Sequence, residues 1–249
     1  MPNQTPVLEV ENISKSFGGV HAVDDLSFKV APHTITGLIG PNGAGKTTAF
    51  NLITHFLPRD GGFILYQGEN MKNIPPHLLV QKGMARTFQQ IRLFKNLTVR
   101  ENLLLACSHR YDHWWSAFGV VDEQHELKKV IDYLKEIKLD HYLEQKASDL
   151  SYGQSKLVEI LRTMLTDADL ILLDEPAAGV NPTMLHTVER LIRDLKKNGK
   201  TVLVIEHNMP FLMGISDSVI VMENGRFLMQ DTPAKVQKDA RVLEAYLGG

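Results

Sequence analysis

Apolar residues fall along this chain in two kinds of short run. Leu8-Glu9-Val10-Glu11-Asn12-Ile13 alternates with polar residues, as a strand with one buried face does. A turn over Ser16-Phe17-Gly18-Gly19-Val20 leads into a second strand region, Ala22 to Val30, so an antiparallel β segment is predicted at the N-terminal end. Thr34-Ile35-Thr36-Gly37-Leu38-Ile39 reads as a short strand and Thr47 to Ile53 as a helix. After a turn at Pro58-Arg59-Asp60-Gly61-Gly62, Phe63 to Gly68 and Ala85 to Gln89 read as two more strands. Two runs are apolar throughout: Leu170-Ile171-Leu172-Leu173-Asp174 and Thr201-Val202-Leu203-Val204-Ile205. Both faces of such strands are buried, the signature of a parallel sheet covered on each side.

Between the early and late strands, residues 97–165 read as mostly helical. Thr98 followed by Glu101 is a capping box, and Leu127 to Leu139 has apolar residues at helical spacing. Met184 to Lys197 is a further helix. Asp217 to Met222 and Arg226 to Gln230 form a hairpin around Asn224-Gly225, and Val236 to Leu247 closes the chain as one helix. No internal repeat or low-complexity tract interrupts the pattern. Strands alternating with helices predict an α/β fold with a mainly parallel sheet. Ligands bind such sheets beyond the carboxyl ends of the strands.

Composition narrows the function classes. The 249 residues are 43 % hydrophobic and 22 % charged, with a net charge of −2, so no overall basic field points to nucleic acid as the main partner. The one cysteine, Cys107, forms no intrachain disulfide and reads as a packing residue. The N-terminal Met1-Pro2-Asn3-Gln4-Thr5-Pro6 lacks an apolar signal core, and no apolar run has the length of a membrane span. The expectation is a cytosolic protein whose link to a membrane runs through a partner. The adjacent Trp114 and Trp115 read as a packed corner, with a partner contact as the alternative.

Chemistry is concentrated in Gly40-Pro41-Asn42-Gly43-Ala44-Gly45-Lys46-Thr47-Thr48, which fits the phosphate-binding loop G-x-x-x-x-G-K-[ST]. Its glycines let the backbone turn tightly and aim N–H groups at an anion. Lys46 suits the β- and γ-phosphates of a nucleotide, and the Thr47 hydroxyl suits Mg²⁺. The loop lies between a predicted strand and a predicted helix, whose N-terminal dipole favours negative charge. Asp174 follows an apolar strand, as a Mg²⁺-holding carboxylate does in phosphate-loop NTPases. Its neighbour Glu175 is a candidate general base for an attacking water. His207 also lies just past a strand end; alone it reads as a satisfied core histidine or as a γ-phosphate contact. Gln89 could orient water or fill a Mg²⁺ position. Phe17 reads as a hydrophobic plug or as a ring for a nucleotide base.

With Leu150-Ser151-Tyr152-Gly153-Gln154 added, the order of motifs closely resembles the ATP-binding subunit of ABC transporters, and the resemblance covers essentially the whole chain. It implies a phosphate-loop NTPase core with an N-terminal antiparallel β segment and a helical subdomain that carries the signature motif. The single ABC ATPase domain, 1–249, would then comprise a core of 1–96 and 166–249 and a helical subdomain of 97–165. The resemblance implies ATP and Mg²⁺ as cofactors and a role for each matching residue. Phe17 would stack on adenine. Lys46 and Thr47 would hold phosphate and Mg²⁺, Gln89 would sense the ion and couple to membrane subunits, and Asp174 would hold the ion. Glu175 would be the catalytic base and His207 the γ-phosphate switch. Ser151 and Gly153, with Gln154 beside them, would contact ATP bound to the opposite subunit of a head-to-tail dimer.

Two residues depart from the family pattern. Tyr152 replaces the central glycine of the signature, and Asn181 replaces the usual aspartate after the catalytic strand. A side chain as large as Tyr152 must point away from the nucleotide for two subunits to close. Both departures resemble the ATPases of branched-chain amino acid importers, as do Ala85-Arg86-Thr87-Phe88-Gln89 and the tail Val242-Leu243-Glu244-Ala245-Tyr246-Leu247. The expected function is ATP hydrolysis that powers a membrane importer for branched-chain or other hydrophobic amino acids or amides. Permease subunits and an identical or paralogous second ATPase would be its partners on the cytoplasmic face of the inner (plasma) membrane, with no nucleic-acid partner. The alternatives are the ATPase of a lipopolysaccharide-type exporter and, less favoured, a soluble non-transport ABC ATPase.

Overall fold

The computed structural model describes residues 5–72, 74–107 and 123–247. In chain order the strands are β1 (Leu8–Phe17), β2 (Val20–Val30), β3 (Ile35–Ile39), β4 (Gly61–Tyr66), β5 (Glu69–Asn70), β6 (Met84–Arg86), β7 (Leu170–Asp174), β8 (Thr201–Ile205), β9 (Ser218–Glu223) and β10 (Arg226–Asp231). The helices are α1 (Lys46–Ile53), α2 (Val99–Cys107), α3 (Glu123–Glu136), α4 (Tyr152–Leu165), α5 (Pro182–Lys197), α6 (Met209–Ile215), α7 (Pro233–Val236) and α8 (Ala240–Leu247).

Two sheets form. The first is antiparallel, in the order β2-β1-β4-β5. The second runs β10-β9-β3-β8-β7-β6 and is parallel except for the β9–β10 hairpin. The predicted α/β class and the N-terminal antiparallel segment are both present.

The continuous apolar strands owe their composition to two separate cores. Ile171 and Leu173 of β7 and Val202 and Val204 of β8 face a core shared with α2, α3, α4, α5 and α6. The alternate residues Leu170, Leu172, Leu203 and Ile205 face the other way. They pack with Phe50 and Ile53 of α1 and with Leu8, Val10 and Ile64 of the antiparallel sheet. A strand alternates its side chains between faces, so burial on both sides requires apolar residues at every position.

Several boundaries differ from the sequence expectation. The strand expected over Ala85 to Gln89 ends at Arg86: Thr87 still donates its N–H to the Leu172 carbonyl, and the chain then leaves the sheet. The helix expected over Val236 to Leu247 is two pieces. Asp239 starts the second, its carboxylate accepting the Arg241 N–H at 2.9 Å. Helix α6 is an element that the sequence pattern does not predict, although Asn208 at its N-cap and Pro210 in its first turn are start signals. The capping box at Thr98 and Glu101 forms, with Glu101 N–H donating to Thr98 Oγ1 at 3.1 Å and Thr98 N–H to Glu101 Oε2 at 2.7 Å. Trp114 and Trp115 lie outside the described residues.

Leu172 is fully buried between α1 and the two sheets. Leu172→Ala should lower unfolding free energy by about 2–5 kcal/mol, read as a fall in denaturant midpoint, because close packing on both sides limits collapse of the resulting void.

Candidate active site

The phosphate loop is shaped by close backbone approaches. A Cβ on Gly40 would lie 2.2 Å from the Met222 carbonyl oxygen, and one on Gly45 would lie 2.2 Å from that of Ala22. Gly45 also has φ +90° and is the N-cap of α1, so two constraints require glycine there. Ala44 turns inward to the core and donates its N–H to the Pro41 carbonyl at 3.1 Å. The Lys46 ammonium is drawn back over the loop, donating to the carbonyls of Gly40 at 2.7 Å and Pro41 at 2.9 Å. Burial pushes its pKa down, and the nearby Glu175 carboxylate opposes that shift.

The ends of β7 and β8 bring the other groups to this loop. Asp174 pairs in register with Ile205, and Glu175 N–H continues the ladder to the Ile205 carbonyl at 3.0 Å. Glu175 then takes φ +49°, the left-handed region, which turns the chain out of the sheet. Its Oε1 lies 3.1 Å from His207 Nε2, and its Oε2 accepts from Gln89 Nε2 at 3.4 Å. Asn42, Gly43, Gly45, Lys46, Thr47 and Thr48 line a cavity of about 340 Å³ together with Ala22, Gln89, Glu175 and His207. The phosphate loop, the Gln89 segment and the turns at Glu175 and His207, four stretches far apart in sequence, thus meet in one concave site with Ala22. Gly40, Pro41 and Ala44 shape the loop from outside that cavity.

Asp174 is not on the cavity wall. It is 2 % exposed, and its Oδ2 sits 3.0 Å from Arg86 Nη2. Burial pushes the Asp174 pKa up, and the guanidinium opposes it. Arg86 also donates to Asn51 Oδ1 at 2.7 Å and Thr54 Oγ1 at 2.8 Å, and its guanidinium lies over the rings of Phe50, Phe56 and Phe88. The Asp174 N–H donates to Thr87 Oγ1 at 3.0 Å. Arg86 therefore ties the acidic strand to the helix that the phosphate loop opens. Sequence reasoning assigned it no role; a lone arginine in an otherwise apolar strand was the available signal.

The signature residues lie elsewhere. Ser151 is the N-cap of α4 and forms a capping box with Gln154: Ser151 N–H donates to Gln154 Oε1 at 2.8 Å, and Gln154 N–H to Ser151 Oγ at 3.4 Å. Ser151, Gly153 and Gln154 are not among the residues lining the phosphate-loop cavity. Tyr152 is 50 % exposed, and its ring rests against Gly179, where an added Cβ would come within 2.6 Å of the ring. Asn181 caps α5, its Oδ1 accepting the Met184 N–H at 2.9 Å. Asparagine and aspartate cap helices about equally well, so this departure keeps the structural role. Phe17, at the end of β1, is 47 % exposed and also lies off the cavity wall, with the Lys15 ammonium 5.7 Å from its ring centroid.

The donor set fits a nucleotide. Loop N–H groups, a lysine and the start of a helix converge on one cavity, as a polyphosphate requires. Among the described residues no group of three or more His, Cys, Asp or Glu is arranged to hold a metal. A hard divalent ion there would draw most of its oxygen ligands from phosphate and water, the usual arrangement for Mg²⁺.

Comparison with known proteins agrees with this geometry. A family model described as ABC transporter matches residues 23–178. The high-affinity branched-chain amino acid transport ATP-binding protein BraF of Pseudomonas aeruginosa is 39 % identical over 251 residues, covering 98 % of each chain. The corresponding LivG protein of Escherichia coli K12 is 38 % identical over 251 residues with the same coverage. Among solved structures, a nucleotide-free ATP-binding cassette from an ABC transporter superposes with a TM-score of 0.83 at 36 % identity, covering 98 % of this chain and all of that one. A dimeric bacterial ABC transporter cassette shares the fold at 22 % identity and a TM-score of 0.80, over 91 % of this chain and 98 % of that one.

Two substitutions test the site. Lys46→Ala should weaken ATP binding roughly ten- to a hundredfold in a titration, the loss of one charge-assisted phosphate contact. Arg86→Met should destabilise the protein by about 3–5 kcal/mol in denaturant unfolding, because it leaves the Asp174 carboxylate buried without its partner. Arg86→Met combined with Asp174→Asn should recover part of that loss.

Proposed function

The chain belongs to the ABC transporter family of ATP-binding subunits, and from that premise we propose that it powers an importer of branched-chain or related hydrophobic amino acids or amides. It hydrolyses ATP, and the observation that carries the catalytic reading is the single cavity where the phosphate loop, Gln89, Glu175 and His207 converge. The cargo reading is supported by the names of full-length relatives, which favour it over a lipopolysaccharide-type exporter.

In this reading the N–H groups of the phosphate loop receive the phosphates of ATP, and Lys46 exchanges its loop carbonyls for β- and γ-phosphate oxygens. Thr47 and Gln89 would hold Mg²⁺ from the cavity wall, and Asp174, which is buried off that wall and paired with Arg86, would hold it only after turning from that partner; bound there, the ion would neutralise phosphate charge. Glu175 takes the proton from the attacking water. His207, 3.1 Å from that carboxylate, holds it in place and from the cavity wall would contact the γ-phosphate. Phe17 would stack on adenine.

Ser151, Gly153 and Gln154 have no part in the cavity of their own chain, which supports a role toward ATP on a second subunit in a head-to-tail dimer. Tyr152 rests on Gly179 of its own chain and leaves the capping-box end of α4 presented. ATP between two such subunits joins them, and hydrolysis releases them, a population shift driven by contacts made in only one state. The helical stretch 97–165 would carry the signature as a subdomain. Among the described residues no helix is long and apolar enough to cross a membrane. Attachment to the cytoplasmic face of the inner membrane would come through permease subunits.

Glu175→Gln should bind ATP, accumulate as a dimer with Mg-ATP by solution mass measurement, and lose turnover by about 10²–10⁴-fold, the usual contribution of a general base. Unchanged turnover would remove Glu175 from the role. In vesicles carrying the assembled transporter, the same variant should abolish ATP-driven leucine uptake. A parent complex whose ATP hydrolysis drives no such uptake would refute the cargo reading.

A further inference from the structure

Glu206 is a buried carboxylate that the reading above leaves unused. It is 3 % exposed and lies between the end of β8 and His207. Its Oε1 accepts the N–H of Ala177 at 2.6 Å, and its Oε2 accepts the N–H groups of His207 at 3.0 Å and Asn208 at 3.2 Å. Burial pushes its pKa up, and the three N–H donors oppose that shift. One side chain thus grips two loops: the turn that follows Glu175 and the turn that carries His207.

The first grip has a specific consequence for Glu175. That residue holds a left-handed backbone, φ +49°, a conformation that a non-glycine residue keeps only when its surroundings impose it. On its N-terminal side the Glu175 N–H is held by the Ile205 carbonyl. On its C-terminal side Pro176 has no N–H to offer, so Ala177 supplies the first backbone donor after Glu175, and that donor goes to Glu206. The second grip fixes His207 at its own N–H, while Asn208 starts α6 by accepting the Phe211 N–H at 3.1 Å.

We infer that Glu206 is a positioning residue for hydrolysis: its carboxylate clamps the Glu175–Ala177 turn to the His207 loop, and so sets the separation of base and histidine. This rests on the reading of Glu175 and His207 as the hydrolytic pair. The clamp needs two acceptor oxygens. Glutamine has one, so either of its amide orientations turns an NH₂ toward N–H donors and releases one of the two loops. The phosphate loop and Lys46 make none of these hydrogen bonds, so the contacts that supply most of the affinity for ATP lie outside the clamp.

The test compares the full-length parent with Glu206→Gln, Glu206→Ala and Glu175→Gln, measuring Mg-ATP affinity, KM and kcat. For both Glu206 variants the expected result is affinity and KM within about twofold of the parent and kcat lower by at least about tenfold, the mark of an interaction that acts in the transition state rather than in ground-state binding. The alanine variant should be slower than the glutamine variant, which keeps one of the two grips. Parental kcat in both Glu206 variants, beside a collapsed Glu175→Gln, would overturn the inference and leave the base assignment standing. A joint loss of ATP affinity and kcat, or failure to fold, would also overturn it in favour of a purely structural carboxylate. Parental turnover in Glu175→Gln would overturn the reading on which the inference rests.

Discussion

β3, β8 and β7 run parallel and in register, with Leu38 and Asp174 both paired to Ile205, and the site exists because of that alignment. Parallel strands release their chains at the same edge of the sheet, so three loops emerge side by side: the phosphate loop after β3, the acidic turn after β7 and the histidine turn after β8. Each loop alone is short and polar and has no reason to adopt a defined shape. Held by neighbouring strands, they can share hydrogen bonds, as the Glu175 N–H does with the Ile205 carbonyl. The alignment in turn depends on burial of both sheet faces, one under α1 and the antiparallel sheet and the other under the remaining helices.

Beneath the rim lies a layer of buried charge. Arg86 meets Asp174 at 3.0 Å, and Lys156, fully buried in α4, lies 3.7 Å from Glu159 and 3.5 Å from the Asp174 carbonyl. Burying a charge costs free energy unless it is paired and hydrogen-bonded, so these groups are weak evidence for extra stability. Their value is in connection. Arg86 joins the acidic strand to α1. Glu159 accepts the Arg92 N–H at 3.1 Å, and Arg162 donates to the Arg92 carbonyl at 2.7 Å, so α4 grips the segment just after Gln89 at two points. The helix that begins with the signature motif is thus joined by hydrogen bonds to the loop that carries Gln89 and to the end of the catalytic strand. A displacement of α4 relative to the sheet would be felt at both.

The architecture also separates what one chain can complete from what it cannot. The phosphate loop, Gln89, Glu175 and the histidine meet within one subunit. The signature residues, neatly capped at the start of α4, stay apart from them. In the proposed dimer this division makes ATP the bond between subunits. An arrangement in which the nucleotide completes its own cage needs no further mechanism to make closure depend on it.

Much of this was determined by the sequence alone. Gly40, Gly45, Lys46 and Thr47 define a phosphate loop because few backbones can wrap a polyphosphate, and those few need glycine at particular places. The runs at Leu170 and Thr201 announced strands buried on both faces, and the order of motifs from Gln89 to His207 carried the family. Only the tertiary structure decided what the chain's local pattern does not encode. Strand order came from packing between distant segments. The role of Arg86 came from a carboxylate 88 residues away, and the left-handed backbone of Glu175 from its position between the Ile205 carbonyl and the turn held by Glu206. The clamp at Glu206 joins an N–H 29 residues away to two donors in its own loop. A buried charge takes its meaning from its partners, and those are chosen by the fold; periodicity and spacing report only which residues are available to be chosen.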